Sequence, residues 1–355
     1  MQVPIWVLMN VWKSRHIRLI VLLAGLLLSA PAAAQVQKSD TGFSVLFYNV
    51  ENLFDTSDDP LTEDDEFCAG GLRNWNSFRL RDKLNKISKV VMAASGFDAP
   101  AIIGFCEVEN SWVLQQLTEN TALRRFNYRI IHKQSPDDRG IDVAIIYRPD
   151  KVVPIRYQYH PLISKSGDTL HSREILEATF GFVDDSLHIF VNHWPSRYRG
   201  QAQTEPDRML AAETLRKAVL ATYQKQEKAK VILMGDFNDQ PDNASLTKGL
   251  RSVEADRPEI QGELINLSEN WNPRGTLKHR NSWQIFDQII VSDYLLSANR
   301  LHLSASDAQI VEWPFLFEAD DRWGGKRLFR TYRGYHYAGG FSDHLPVIAH
   351  LHYTH

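Results

Sequence analysis

Several familiar catalytic signatures are missing from this 355-residue chain. No G-x-S-x-G occurs, which argues against a serine hydrolase built on a strand–helix elbow. Walker loops and G-x-G-x-x-G are also absent, so neither a P-loop nor a dinucleotide fingerprint is present. No Cys/His pair stands at zinc-ligand spacing. Positive charge is not in excess either: the formal net charge is −3, which does not advertise a broad nucleic-acid-binding surface. There is no internal repeat or low-complexity tract, and nothing between Phe43 and the C-terminus reads as a linker, so one large domain is expected. The two cysteines, Cys68 and Cys106, admit two readings, a disulfide in an exported protein or two unpaired thiols.

The N-terminal segment has the parts of a secretory signal peptide. Lys13, Arg15 and Arg18 precede the apolar run Leu19–Leu28, and "SAPAAAQ" supplies an A-x-A cleavage site. The expected organisation is a signal peptide over 1–34 and a catalytic domain over 35–355, exported to the periplasm or the extracellular space. A retained anchor is the alternative, although the run is shorter than the roughly 20 apolar residues that span a bilayer, and an integral membrane protein is not expected. Loss of the segment takes the net charge to −6. A phosphate-bearing substrate then has to be held by local groups or by metals.

What the chain does have is a series of short apolar runs rich in Val, Ile and Phe. They are "FSVLFYNV" (43–50), "AIIGFCEV" (101–108), "DVAIIYRP" (142–149), "LHIFVNHW" (187–194), "KVILMGDF" (230–237), "FDQIIVS" (286–292) and "LPVIAHL" (345–351). All read as strands buried on at least one face. Helical stripes lie between them. Leu80, Leu84, Ile87 and Val91 define a helix over 77–94, and Met209, Leu210, Leu215 and Val219 another over 205–226, with Pro206 in its first turn. Strands mixed with helices, neither alternating strictly nor segregated, predict an α/β (α+β) protein with a sheet-on-sheet core wrapped by helices.

Polar residues recur where these strands end. Asn49 and Glu51 close the first and Glu107 and Glu109 the second; Asn192 and His193 close the run at 187–194, and Asp236 and Asn238 the run at 230–237. Asp287 opens the next, and Asp343 and His344 stand just before the last. One such cluster would be a turn. Repetition of carboxylates, amides and histidines at so many termini exceeds what turns require. Glu, Asp and Asn oxygens are hard ligands suited to Mg²⁺, Mn²⁺ or Ca²⁺. A hard cation with histidines fits phosphoryl chemistry, in which the metal offsets developing charge and a base prepares water.

The segments "FYNVENLFD" (47–55), "GFCEVEN" (104–110), "VNHWPSR" (191–197), "MGDFND" (234–239), "FDQIIV" (286–291) and "GGFSDHLPV" (339–347) resemble the endonuclease/exonuclease/phosphatase superfamily, in family order over nearly the whole mature chain. The resemblance implies a four-layered α/β sandwich, two mixed sheets face to face with helices outside. It also implies Glu107 as the ligand of an essential Mg²⁺ or Mn²⁺, with Asn49 beside it and Asp343 in the metal and phosphate shell. Asp236 would position or deprotonate water, and Asn238 would orient water or phosphate. His344 would act on the scissile phosphate and be held by Asp287, with His193 as a second histidine. Arg139 and Asp142 fall where the family places substrate-binding or histidine-orienting groups, and Arg197 would contact phosphate.

The fold does not select the ester. Specificity is expected in the loops 275–288 and 312–344, where Lys and Arg interleave with aromatics. Three readings stand: a secreted nuclease or phosphodiesterase, a phosphatase or phospholipase-C-like enzyme on inositol phosphates or sphingomyelin, and a catalytically silent binding module. Partners are a nucleic acid or a small phosphoester, with no obligate protein partner.

Overall fold

The structure, a computed structural model, describes residues 42–96, 98–255, 262–269, 271 and 275–354; the expected signal peptide over 1–34 lies outside these. All seven apolar runs form strands, and together with seven further strands they make up two seven-stranded sheets among the described residues.

The first sheet runs Leu301–His302, Val347–Tyr353, Phe43–Leu53, Ile102–Val108, Asp142–Tyr147, Arg129–His132, with Ala308–Ile310 also paired to Val347–Tyr353. The second runs Val153–His160, Ile175–Phe182, Asp185–His193, Lys230–Asp236, Asp287–Ser292, Leu264–Asn266, Ser252–Glu254. Both are mixed: Phe43–Leu53 pairs in parallel with Ile102–Val108, and Asp185–His193 with Lys230–Asp236, among antiparallel neighbours.

Alternation along the strands builds the layers. Val45, Phe47, Ile102 and Ile145 of the first sheet meet Ile189, Val191, Ile232 and Ile289 of the second in one core. The intervening Leu46, Tyr48, Ile103 and Ile146 face the helices Ser77–Ala94 and Ser111–Glu119. On the far side, Phe190, Val231, Leu233 and Ile290 pack on Ala211, Leu215 and Val219 of the helix Gln201–Lys225. The result is the four-layered α/β sandwich. No helix among the described residues is long and apolar enough to cross a membrane.

Local chemistry explains the element ends. Asn76 caps the Ser77–Ala94 helix by accepting from the Phe78 and Arg79 amides. The helix expected from 205 begins at Gln201, so Pro206 lies inside it rather than in its first turn. Arg208, fully buried, donates to Thr204 Oγ1 and to the Gln201 carbonyl, tying down the turn ahead of the proline. Cys68 and Cys106 are both free thiols, Cys106 inside the inter-sheet core.

Gly235 is required by close approach. A Cβ there would stand 2.4 Å from the Asn192 carbonyl oxygen of the neighbouring strand. Gly235→Ala is expected to destabilise the fold by about 1–3 kcal/mol through forced backbone displacement, measured by denaturant unfolding. An unchanged midpoint would contradict this account.

Candidate active site

The alternation that builds the core also builds the site. Asn49, His193, Asp236 and Asp287 occupy positions whose parity matches the inward residues Phe47, Val191, Met234 and Ile289. They are the polar ends of four inward rows. Register aligns them: His193 pairs with Asp236, and Asp287 pairs with Asp236 from the other side. Asn49 closes the gap between the sheets, its Nδ2 donating to Asp236 Oδ2 at 3.1 Å.

A chain of side chains follows. Asp236 Oδ1 accepts the Asn238 backbone N–H at 3.0 Å. His193 Nε2 and His344 Nε2 each lie 3.8 Å from Asp236 Oδ2. His344 Nδ1 is hydrogen-bonded to Asp287 Oδ2 at 2.7 Å. On the other flank, His193 Nε2 stands 4.0 Å from Glu107 Oε1, and Glu107 Oε2 accepts from the Asn52 amide at 2.9 Å. Glu107 sits at a bulge in the pairing between its strand and Asp142–Tyr147, with φ +59°. Glu51, Asn52 and Asn238 are likewise left-handed, at +52°, +56° and +50°. Non-glycine residues adopt this region at a cost and concentrate it at functional sites.

The two histidines are driven in opposite directions. Burial would lower the His344 pKa, but Asp287 and Asp236 outweigh it and hold the ring well above the ordinary value, as an imidazolium. His193 is pushed well below by burial and by the nearby cations Arg173, Arg139 and His344, so it stays neutral. Burial pushes the Asp236 carboxyl up to about 7; His344 opposes this and Asp287 adds to it.

Asp343 is held by Arg330, whose Nη2 lies 2.8 Å from Oδ2. Burial would raise its pKa, but Arg330 and then His344 outweigh it and keep the carboxylate ionised. Arg330 also donates through Nε to Glu51 Oε1 at 3.0 Å, and Glu51 Oε2 accepts the Thr331 amide at 2.7 Å. Glu51 therefore anchors the 312–344 loop. Arg330 was not singled out in the sequence, where it is one of several basic residues in that loop; only an unpaired Glu51 could have pointed to it. The buried Lys83 is a second such residue, bonded to Thr331 Oγ1 and the Phe341 carbonyl; burial, opposed by Glu51 and Asp343, takes its pKa down to about 8.

Two expected roles are corrected by the contacts. Arg197 is not free for phosphate: it donates to the Asn238 carbonyl, Asp239 and Asn243 and lies over the Phe286 ring. Asp142 does not orient His193; its oxygens bond His132 and the Ser135 amide. Asn49 Oδ1 accepts from the Glu51 amide while Nδ2 serves Asp236, which leaves one lone pair of that oxygen for a cation. Arg139 does reach the rim, bonding Asn52 Oδ1 at 2.5 Å with its guanidinium 4.0 Å from Glu107. Asn238 is fixed by donation from its side chain to the Trp194 carbonyl at 3.0 Å.

The donor set fits a hard divalent cation. Glu107, Asp236, Asp287 and Asp343 offer oxygens only, and their negative charge exceeds what His344 and Arg330 compensate. Asp236, Asp287 and His344 bring one donor atom each within 4.8 Å, but the Asp287–His344 bond commits that pair to holding a proton.

A four-layered sandwich with carboxylates and two unlike histidines at the ends of its inner rows defines a metal-assisted phosphoester hydrolase. The chain belongs to the endonuclease/exonuclease/phosphatase family, whose model matches residues 44–353 and whose members are metal-dependent phosphoesterases. Solved structures share the fold. A family member from Bacteroides thetaiotaomicron superposes with a TM-score of 0.55 at 18% identity, over 88% of this chain and 98% of that one. D. rerio TDP2 complexed with single-strand DNA product gives 0.53 at 17% identity, over 88% and 99%. A mannosyl-6-phosphatase from Bacteroides thetaiotaomicron also gives 0.53 at 17%, over 87% and 99%. Among curated proteins no match is found.

The Arg197 assignment is testable. Arg197→Ala is expected to lower unfolding free energy by about 1–3 kcal/mol, because it leaves Oδ1 of the buried Asp239 without its ion-pair partner, while leaving KM within about twofold. A large KM rise with unchanged stability would restore the phosphate-contact role.

Proposed function

We propose that the protein hydrolyses phosphodiesters in short or single-stranded nucleic acid, as an exported nuclease or phosphodiesterase. The observation that carries this reading is the joining of the Glu107–His193–Asp236–His344–Asp287 array, buried except at Glu107, to a basic, aromatic cleft. That cleft, of about 280 Å³, runs from Asp343 and Arg330 past Arg280, Arg322 and Trp323, with Lys278 tied to Asp320 in its wall. Arg322 lies over the Trp323 ring, which is 44% exposed. An exposed indole among guanidinium groups can stack a base while cations hold the backbone.

When bound, Mg²⁺ or Mn²⁺ held by Glu107 with Asp343 would offset charge on a phosphoryl oxygen. The chain's own residues supply the rest. Asp236, with a pKa near neutrality, takes a proton from the attacking water, and Asn238 beside it orients that water. His344, kept cationic by Asp287, stabilises charge that builds on the phosphoryl oxygens. Neutral His193 offers a hydrogen bond at the same oxygens, and Arg139 and Arg330 bind the substrate's remaining negative charge.

Export rests on the basic start, the apolar run and the A-x-A site. N-terminal sequencing of secreted protein should begin at Gln35; a mature protein that retains residues 1–34 would refute it.

A panel of plasmid, single-stranded oligonucleotide, inositol phosphates, sugar phosphates and sphingomyelin, assayed with Mg²⁺ or Mn²⁺, tests the substrate class. Oligonucleotide cleavage is expected to lead, to vanish with chelator, and to fall by about 10²–10⁴ in His344→Ala. Preference for sugar phosphates, the class named for the mannosyl-6-phosphatase neighbour, would move the assignment to a phosphatase. Activity that survives both chelator and His344→Ala would overturn the mechanism.

A further inference from the structure

The segment following the Phe43–Leu53 strand, "DTSDDPLTEDDEFC" (55–68), carries seven carboxylates and neither Lys nor Arg. The reaction above makes no use of it. Three of its side chains nevertheless converge. Asp58, Asp64 and Cys68 each bring one donor atom within 4.8 Å of the others. Cys68 Sγ lies 3.8 Å from Asp58 Oδ1 and 4.0 Å from Asp64 Oδ2. With Zn–S of about 2.3 Å and Zn–O of about 2.0 Å, sulfur and oxygen on one tetrahedral zinc stand roughly 3.5 Å apart. Both sulfur–oxygen distances need only a small contraction to reach that value.

An independent observation points to a cation. Asp64 is only 1% exposed, yet its Oδ1 is buried without a hydrogen-bond partner. No ion pair to Asp64 forms among the described residues. Its other oxygen accepts the Asp59 amide at 3.1 Å. A buried carboxylate with an orphaned oxygen is costly unless something satisfies it. Directly beside it stand an exposed carboxylate, Asp58, and a half-buried thiol, Cys68.

We propose that Asp58, Asp64 and Cys68 form a second, non-catalytic site for a borderline divalent cation of the Zn²⁺ class. The sulfur ligand separates it from the all-oxygen and imidazole environment of the catalytic centre and selects against Mg²⁺ and Ca²⁺. On binding, the Cys68 thiol gives up its proton to solvent and the thiolate bonds the metal. Exposure of Asp58 leaves room for water in the fourth position. The sequence carries no Cys/His zinc spacing because two of the three ligands are aspartates. The site has a structural consequence. The Glu63 amide donates to the Asp138 carbonyl at 2.7 Å, and the Asp55 amide to Glu109 Oε2 at 2.5 Å. The segment thus rests against the turn that carries Arg139, and a bound cation fixes that rim of the catalytic cleft.

The test is a Co²⁺ titration of the chelator-stripped mature protein. A near-ultraviolet thiolate-to-cobalt charge-transfer band should saturate at one equivalent and be bleached by Zn²⁺. Cys68→Ser should abolish it, and Asp58→Asn, an exposed change that leaves the circular dichroism spectrum intact, should weaken Co²⁺ binding at least tenfold. Glu107→Gln, which alters the catalytic centre, should leave the band unchanged. Absence of the band in folded wild-type protein, its persistence in Cys68→Ser, or failure of Zn²⁺ to displace Co²⁺ would overturn the site.

Discussion

Everything in this molecule depends on the constraint that side chains of a strand alternate between two faces. Two mixed sheets stacked on their apolar faces must fill the space between them with every second residue. At one end the filling changes from Phe47, Val191, Met234 and Ile289 to Asn49, His193, Asp236 and Asp287. The hydrogen bond from Asn49 to Asp236 crosses from one sheet to the other at that point. A one-residue slip of any of these strands would turn its polar end toward the helices and dismantle the site. The geometry of the candidate site and the core packing are therefore set by the same register.

Crowding carboxylates into that end makes the electrostatics productive. Identical side chains acquire different states from their neighbours alone: His344 is charged because Asp287 and Asp236 face it, and His193 is neutral because it is buried toward Arg173 and Arg139. Asp236 is held near neutrality by desolvation. Arg330 performs a different task, linking Glu51 on a central strand to Asp343 on the following loop. It couples the long 312–344 loop to the framework of the sheets.

Much of this was legible in the sequence because strand burial and strand-end polarity are local signals. The seven apolar runs, the helix over 77–94 and the site residues Glu107, His193, Asp236, Asp287 and His344 could be marked from composition, spacing and the family resemblance. Partner choice could not. Arg197 reads as a phosphate ligand next to "HWPS", yet Asp239, Asn243 and the Asn238 carbonyl claim it. Asp142 belongs to His132 rather than His193. The start of the Gln201–Lys225 helix moved ahead of Pro206 because the buried Arg208 holds its first turn from within.

The sequence by itself determined the class of fold and the inventory of chemistry, since periodicity and residue type are properties of short stretches. Which groups meet was decided only by tertiary structure. The partners lie tens to hundreds of positions apart: Glu51 with Arg330, His344 with Asp287, Lys83 with Thr331. Even within the 55–68 segment, the meeting of Asp58, Asp64 and Cys68 depends on a turn whose backbone is pinned by Asp138 and Glu109. Hydrogen bonding, desolvation and charge pairing act through space. A residue's role follows from the neighbours the fold assigns it.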